Sequence, residues 1–255
     1  MTLSIDLNCD MGESYGVWKL GHDEAVLPFV TSANIACGFH AGDPATMRKT
    51  IHAAIEHQVA LGAHPGLPDL VGFGRRDMNI TPQNAYDIAV VQVGALAGVA
   101  ASQGARLNHV KAHGSLYNMA ARDKELAHAL AQAVHDVDRD LIFYGLASSV
   151  LVRAAEEVGL RVAQEVFADR TYQSDGSLTP RSRPEAMIVD SQVSIDQVLR
   201  MVCEGKVRSV QGSDVSVRAD TLCIHGDQPG AVLFAKAIRA ALQVEGIEVR
   251  AVGEA

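Results

Sequence analysis

Side chains able to donate or accept hydrogen bonds, move protons or hold charge recur in six short segments of the chain. They are Asn8, Asp10 and Glu13 in NCDMGES; Asn34, His40 and Asp43 in NIACGFHAGDP; and His64 in GAHPGLPD. Further along come Lys111 and His113 in VKAHGSLYN; Glu165, Asp169 and Arg170 in QEVFADRTY; and His225 and Asp227 in CIHGDQP. Carboxylates and imidazoles are the usual general acids and bases, and cations stabilise negative charge as it develops. Each residue has a structural use too: Asp43 and Asp227 serve equally well as helix caps. His52, His57, His128 and His135 sit in helical patterns and read as surface or packing residues. Lys111 and Glu165 resist such readings, because a charge inside a parallel strand is expensive to bury unless it is paired or functional.

What would bring these segments together is a parallel sheet. Short apolar runs near 3–8, 31–37, 59–63, 108–112, 142–146, 161–166 and 221–225 read as strands. Helical patterns near 44–58, 82–103, 120–137, 148–158, 192–204 and 230–244 alternate with them. Asp43-Pro44 and Thr81-Pro82 have the form of an N-cap followed by proline at N1, and Gly159 suits a C′ position. In parallel α/β folds the C-terminal strand ends share one face, where active sites are built. Six of the seven runs end in the segments above, so they are expected to line one pocket. His109 and Lys111 share a strand face by period-two alternation. Neither G-x-G-x-x-G after the first strand nor G-x-x-x-x-G-K-[ST] anywhere supports an open nucleotide-binding sheet. The expected fold is therefore an irregular seven-stranded parallel (β/α) barrel, TIM-barrel-like, in one domain over 1–255. Two long connections, HPGLPDLVGFGRRDMNI and FADRTYQSDGSLTPRSRP, leave the same face carrying Arg75, Arg76, Arg170, Arg181 and Arg183. Guanidinium forks match carboxylate or phosphate, and loops of this length are usually functional or disordered.

A formal charge of −8 with scattered Lys and Arg argues against nucleic acid as a partner. The start MTLSIDLNCD lacks a basic segment followed by an apolar stretch, and no run of ~18 apolar residues occurs, so a cytoplasmic chain without a membrane partner is expected. Cys9, Cys37, Cys203 and Cys223 lie far apart without CxxC spacing, which favours free thiols over zinc ligands or disulfides.

Taken in order, DLNCDMGES, SANIACGFHAGDP, GAHPGLPDLVGFGRR, VKAHGSLYN, FADRTYQSDGSL and CIHGD closely resemble the LamB/YcsF family. Two departures, Ala112 where the family usually has Pro and Ser115 where it usually has Ala, leave the ionisable set intact. The resemblance implies the A subunit of a bacterial ATP-dependent 5-oxoprolinase, a hydrolase that cleaves 5-oxo-L-proline (pyroglutamate) to L-glutamate with release of ADP and phosphate. It implies partners, 5-oxoprolinase subunits B and C, and a barrel of the glycoside hydrolase and deacetylase type. ATP, with Mg, would be co-substrate, no tightly bound cofactor is expected, and a divalent metal is left open. A γ-lactam is an unstrained amide whose ring recloses readily, so energy has to enter from ATP. Residue type and strand position then nominate Asp10, His64, Lys111, His113 and Glu165 as catalytic. Asn8, Asn34, His40, Arg75, Arg170 and His225 are nominated as substrate-binding. A rival reading is a metal-dependent deacetylase or amidohydrolase using Asp10, His40 and His64; another is a non-catalytic subunit that presents substrate to its partners.

Overall fold

In the first strand, β1 (Ser4–Met11), polar and apolar residues alternate: Asp6, Asn8 and Asp10 against Ile5, Leu7, Cys9 and Met11. Alternation sends the two sets to opposite faces of the sheet. The computed structural model, which describes residues 3–224 and 230–254, shows where each face goes. The apolar set joins one continuous core with helix residues such as Ile51, Leu96 and Leu130. The polar set turns to the inside of a closed ring, where Asp6, Asn8 and Asp10 meet side chains from other strands.

The ring is the expected seven-stranded parallel barrel. After β1 come β2 (Ser32–Ala36), β3 (Ala60–His64), β4 (His109–Lys111), β5 (Ile142–Leu146) and β6 (Arg161–Phe167). Two short strands, β7 (Lys206–Arg208) and β8 (Asp214–Ser216), form an antiparallel hairpin outside the ring. β9 (Thr221–Ile224) then pairs with β6 on one side and β1 on the other, closing the circle. The last strand, β10 (Glu248–Val249), adds to β1 at Ser4 and Ile5, at the opposite end of that strand from Asp10.

Helices cover the outside: α1 (Asp23–Val26), α2 (Pro44–Glu56), α3 (Pro82–Ala101), α4 (Gly114–Ala120), α5 (Lys124–Val137), α6 (Val150–Glu157), α7 (Ser191–Glu204) and α8 (Ala231–Val244). Their starts are chemically legible. Asp43 accepts hydrogen bonds from Ala45 and Thr46 N–H, Thr81 and Asn84 form a capping box, and Gly159 takes φ +88° after α6. The helix expected over 120–137 is α5, which begins at Lys124, and α4 is an additional helix ahead of it. Asp123 caps α5 by accepting from Glu125 and Leu126 N–H, so the chain turns there, and GSLYNMA forms its own helix before it. The hairpin β7–β8 and the strand β10 also lie outside the expected elements. By length and composition α3 is apolar enough to cross a membrane, but Ala85, Ala89, Val93, Leu96 and Ala100 are buried in the core that surrounds the barrel.

Candidate active site

The lumen of the barrel is polar, and Lys111 stands at its centre. Its Nζ lies 2.8 Å from Glu165 Oε1 and 3.0 Å from Asp10 Oδ1, and it donates to Asn8 Oδ1 at 3.2 Å and Cys223 Sγ at 3.1 Å. Burial pulls the ammonium down, but Asp10, Cys223 and Glu165 outweigh it and hold Lys111 well above the ordinary lysine range. The surrounding amides are oriented by their partners. Asn34 Nδ2 donates to Asn8 Oδ1 and Asp10 Oδ1, and Asn8 Nδ2 donates to Glu165 Oε1 and Thr221 Oγ1. Tyr117 from α4 donates to Glu165 Oε2 at 2.7 Å. Below this layer Asp6 accepts from Thr31, Ser32, Tyr144 and Thr221; burial still raises its carboxyl above the usual value. His109 lies against Tyr144 with ring centroids 4.1 Å apart and places Nε2 2.8 Å from Asn34 Oδ1. Burial lowers its pKa to about 3, so the ring is neutral.

Beside Asp10 three imidazoles gather. His64 places Nε2 3.2 Å from Asp10 Oδ2 and 2.9 Å from His113 Nδ1, and His40 stacks on His113 with centroids 3.7 Å apart. Glu13 Oε1 is 3.9 Å from His40 Nε2 and 3.8 Å from His113 Nδ1. Burial first, then the neighbouring histidines, pushes His40 and His113 well below the usual histidine range. The long segment after β3 roofs this cluster. Gln92 of α3 grips Gly66 at both its N–H and its C=O, Phe73 C=O meets His113 Nε2 at 2.8 Å, and Asp69 holds Arg76 and the Gly72 N–H. Two glycines let the roof close. A β-carbon on Gly66 would overlap the His40 ring, and one on Gly74, whose φ is +61°, would meet His40 Cβ at 2.8 Å and His113 Cδ2 at 2.9 Å.

Above the lumen opens a cavity of about 860 Å³. Asp10, His64, Lys111, His113 and Tyr117 line its floor, and Arg75, Arg122, Arg153, Arg181 and Arg183 stand around it. The segment after β6 forms one wall, and it is not structureless: isolated bridges tie Tyr172 to Leu178 and Arg170 to Met187.

Each expected site residue can now be placed. Asp10, His64, Lys111 and His113 reach the cavity, whereas Glu165, Asn8, Asn34 and His40 are buried behind them. Arg75 is exposed on the wall with its guanidinium 4.8 Å from the centre of the Phe73 ring. Arg170 also lines the cavity but donates to Thr179 C=O and Ala186 C=O; burial, then Arg181, lowers it to about 10. Asp43 caps α2 and also accepts from Gly16 N–H. The segment that carries His225 and Asp227 lies outside the described residues. Of the alternative set Asp10, His40 and His64, the last two belong to the imidazole cluster, and the carboxylate facing His40 is Glu13. Sequence reasoning missed Asp6, Tyr117, Tyr144, Thr221 and Gln92. For Asp6 the signal was present, as the alternation of β1 puts it in register with Asn8 and Asp10. For Gln92 there was none, since it is one polar residue on a helix.

Comparison with known proteins places this arrangement among relatives. A model of the LamB/YcsF family matches residues 5–255. The chain is 69% identical over 251 residues to the 5-oxoprolinase A subunit of Bordetella pertussis, covering 98% of this chain and 100% of that protein. It is 59% identical over 250 residues to the 5-oxoprolinase A subunit of Bacillus subtilis, covering 98% and 97%. Among solved structures, the lactam utilization protein from Thermus thermophilus superimposes with a TM-score of 0.92 at 48% identity, covering 98% of this chain and 100% of that one.

Proposed function

The chain belongs to the LamB/YcsF family, and from that premise we propose that it is the lactam-opening subunit of an ATP-dependent 5-oxoprolinase. The observation that carries this reading is Lys111, a buried cation held between two carboxylates at the floor of a cavity with arginines around it. Transfer of the ATP γ-phosphoryl group to the lactam oxygen, with ADP leaving, turns a poor electrophile into an activated imidate. Water adds to its carbon, the C–N bond breaks as a proton passes to the ring nitrogen, and a second water hydrolyses the resulting acyl phosphate to glutamate and phosphate. Phosphate and oxyanion both develop negative charge, and a preorganised ammonium in a desolvated site stabilises it without reorganisation.

The two carboxylates divide the work by exposure. Asp10 lines the cavity, so it is the group that takes the proton from water. Glu165 is fully buried and saturated by Lys111, Asn8 and Tyr117, so it positions Lys111. His113, neutral with its Nε2–H held by Phe73 C=O, has no proton on Nδ1 to give the departing nitrogen. Arg75, exposed on the cavity wall, is placed to receive the substrate carboxylate.

ATP, with Mg, is the co-substrate in this reading, and the other subunits supply what this chain lacks in recognisable nucleotide motifs. The test is glutamate release from 5-oxoproline with ATP, measured for the chain alone and with its partner subunits. The expected result is little activity alone and restoration in the complex. Robust glutamate formation by the isolated chain sinks the division of labour, and full activity of a complex carrying Lys111→Met and Glu165→Gln makes this chain a scaffold.

A further inference from the structure

We propose that Glu13, His40, His64 and His113 form a binding site for one divalent transition-metal ion, of the class that prefers imidazole with carboxylate. The first observation is a conflict between lone pairs. His64 Nδ1 lies 2.7 Å from Lys111 C=O and His113 Nε2 lies 2.8 Å from Phe73 C=O. A carbonyl oxygen accepts and cannot donate, so each of those nitrogens carries its ring's proton. The remaining nitrogens, His64 Nε2 and His113 Nδ1, therefore point lone pairs at each other across 2.9 Å. Asp10 Oδ2, at 3.2 Å from the same His64 nitrogen, adds another acceptor. A metal ion shared by these groups reconciles them, and the rival, an extra proton held between the two rings, is an outcome of the test below.

The second observation is His40. Its ring is wholly buried in the stack on His113, and among the described residues neither ring nitrogen has a hydrogen-bond partner. A buried polar group left unpaired costs about 1–3 kcal/mol, and here one nitrogen lies 3.9 Å from the Glu13 carboxylate. One ligand atom from each of the four residues falls within 4.8 Å of all the others. Tetrahedral zinc, with bonds of about 2.0–2.1 Å to nitrogen and oxygen, sets its ligands roughly 3.3 Å apart. The separations of 2.9, 3.8 and 3.9 Å between these ligand atoms bracket that value. Backbone carbonyls on the far nitrogens of His64 and His113 are the outer partners that fix tautomer and orientation in metal sites. Three imidazoles favour zinc, cobalt or nickel over magnesium or calcium, which take oxygen ligands.

His64 and His113 also line the cavity, so the test uses the isolated chain without substrate, where only the four ligands are read. Protein stripped with chelator and titrated with Co²⁺ is followed by visible absorption. One equivalent is expected, with the intense bands of a low-coordinate site, and X-ray absorption of the Zn²⁺-loaded protein should count about three imidazoles. His40→Ala and His113→Ala should each weaken Co²⁺ binding by more than the roughly 10–100-fold typical of outer partners. His52→Ala, an exposed histidine on α2, should leave it unchanged. The absence of saturable binding at submillimolar Co²⁺ overturns the proposal. So does binding that ignores both ligand variants, or nitrogen NMR showing a protonated His64–His113 pair that added metal does not displace. A chain that binds metal in a complex that makes no glutamate would overturn the proposed function and leave this site standing.

Discussion

Lys111 carries the most sharply divided expectation of any residue. Lys111→Met keeps the aliphatic stem and deletes the charge, leaving Asp10 and Glu165 facing each other without their cation. Two ionised carboxylates in that position would destabilise the fold by about 3–5 kcal/mol, but one of them can take up a proton, so the net loss should be smaller. Turnover has no such relief. A fall of about 10²–10³-fold in the reconstituted complex is expected, measured beside thermal unfolding of the same variant; near-normal turnover would make Lys111 structural. His109 gives a pH prediction. Its pKa falls from 6.5 to about 3 on folding because burial disfavours the charged ring. Between those values the unfolded chain holds a proton that the folded chain refuses, so stability drops as pH falls below 6.5. The slope from one such group approaches roughly 1.4 kcal/mol per pH unit well inside the window. His109→Gln keeps an N–H donor for Asn34 and removes the titration. Urea midpoints across a pH series should therefore decline less steeply in the variant than in the parent, and parallel profiles would show that His109 is already charged.

At the scale of elements, the connection after β3 is a roof whose backbone cannot be moved without disturbing the histidines. Gly74→Ala puts a β-carbon against His40 and His113 at a positive φ, and a loss of about 1–3 kcal/mol is expected. Gly94→Ala, inside α3 where an added β-carbon meets nothing within 4 Å, should instead stabilise by about 0.5–1 kcal/mol. Chemical denaturation of both reads the contrast, and similar effects at the two sites would deny the roof its tight packing. These elements also mark what a sequence reveals. Strand-helix alternation and the Asp43-Pro44 and Thr81-Pro82 starts made the barrel legible, because caps and period are local. Lys111 was legible as a buried cation because a strand interior gives it no solvent, and its carboxylate partners Asp10 and Glu165 follow from ring geometry. Tyr117 was not, as it reaches Glu165 from a helix that starts just beyond the strand motif. The roof was visible as a long loop, but its grip by Gln92 depends on two segments far apart in sequence.

For the molecule as a whole, a net charge of −8 coexists with a cavity edged by Arg75, Arg122, Arg153, Arg181 and Arg183. An acidic body with a cationic mouth focuses its field on the entrance, and such steering is screened within a Debye length of about 10 Å at 0.1 M salt. Raising KCl should therefore lower kcat/KM of the reconstituted enzyme, by roughly tenfold or less, with kcat nearly unchanged. A kcat that falls in parallel would place the salt effect on the chemistry and not on encounter. Closure of the ring also has a temporal side. β1 leaves the ribosome first, yet its neighbour β9 begins only at Thr221. At about 5–20 residues per second, the interval between them is on the order of ten seconds or more. Throughout it Asn8 lacks Thr221 and β1 exposes an unpaired edge, and Lys111 and β6, once made, wait for the same strand. Nascent chains stalled before Thr221 should thus be cut by protease within β1, whereas chains stalled after α8 has emerged should be protected there.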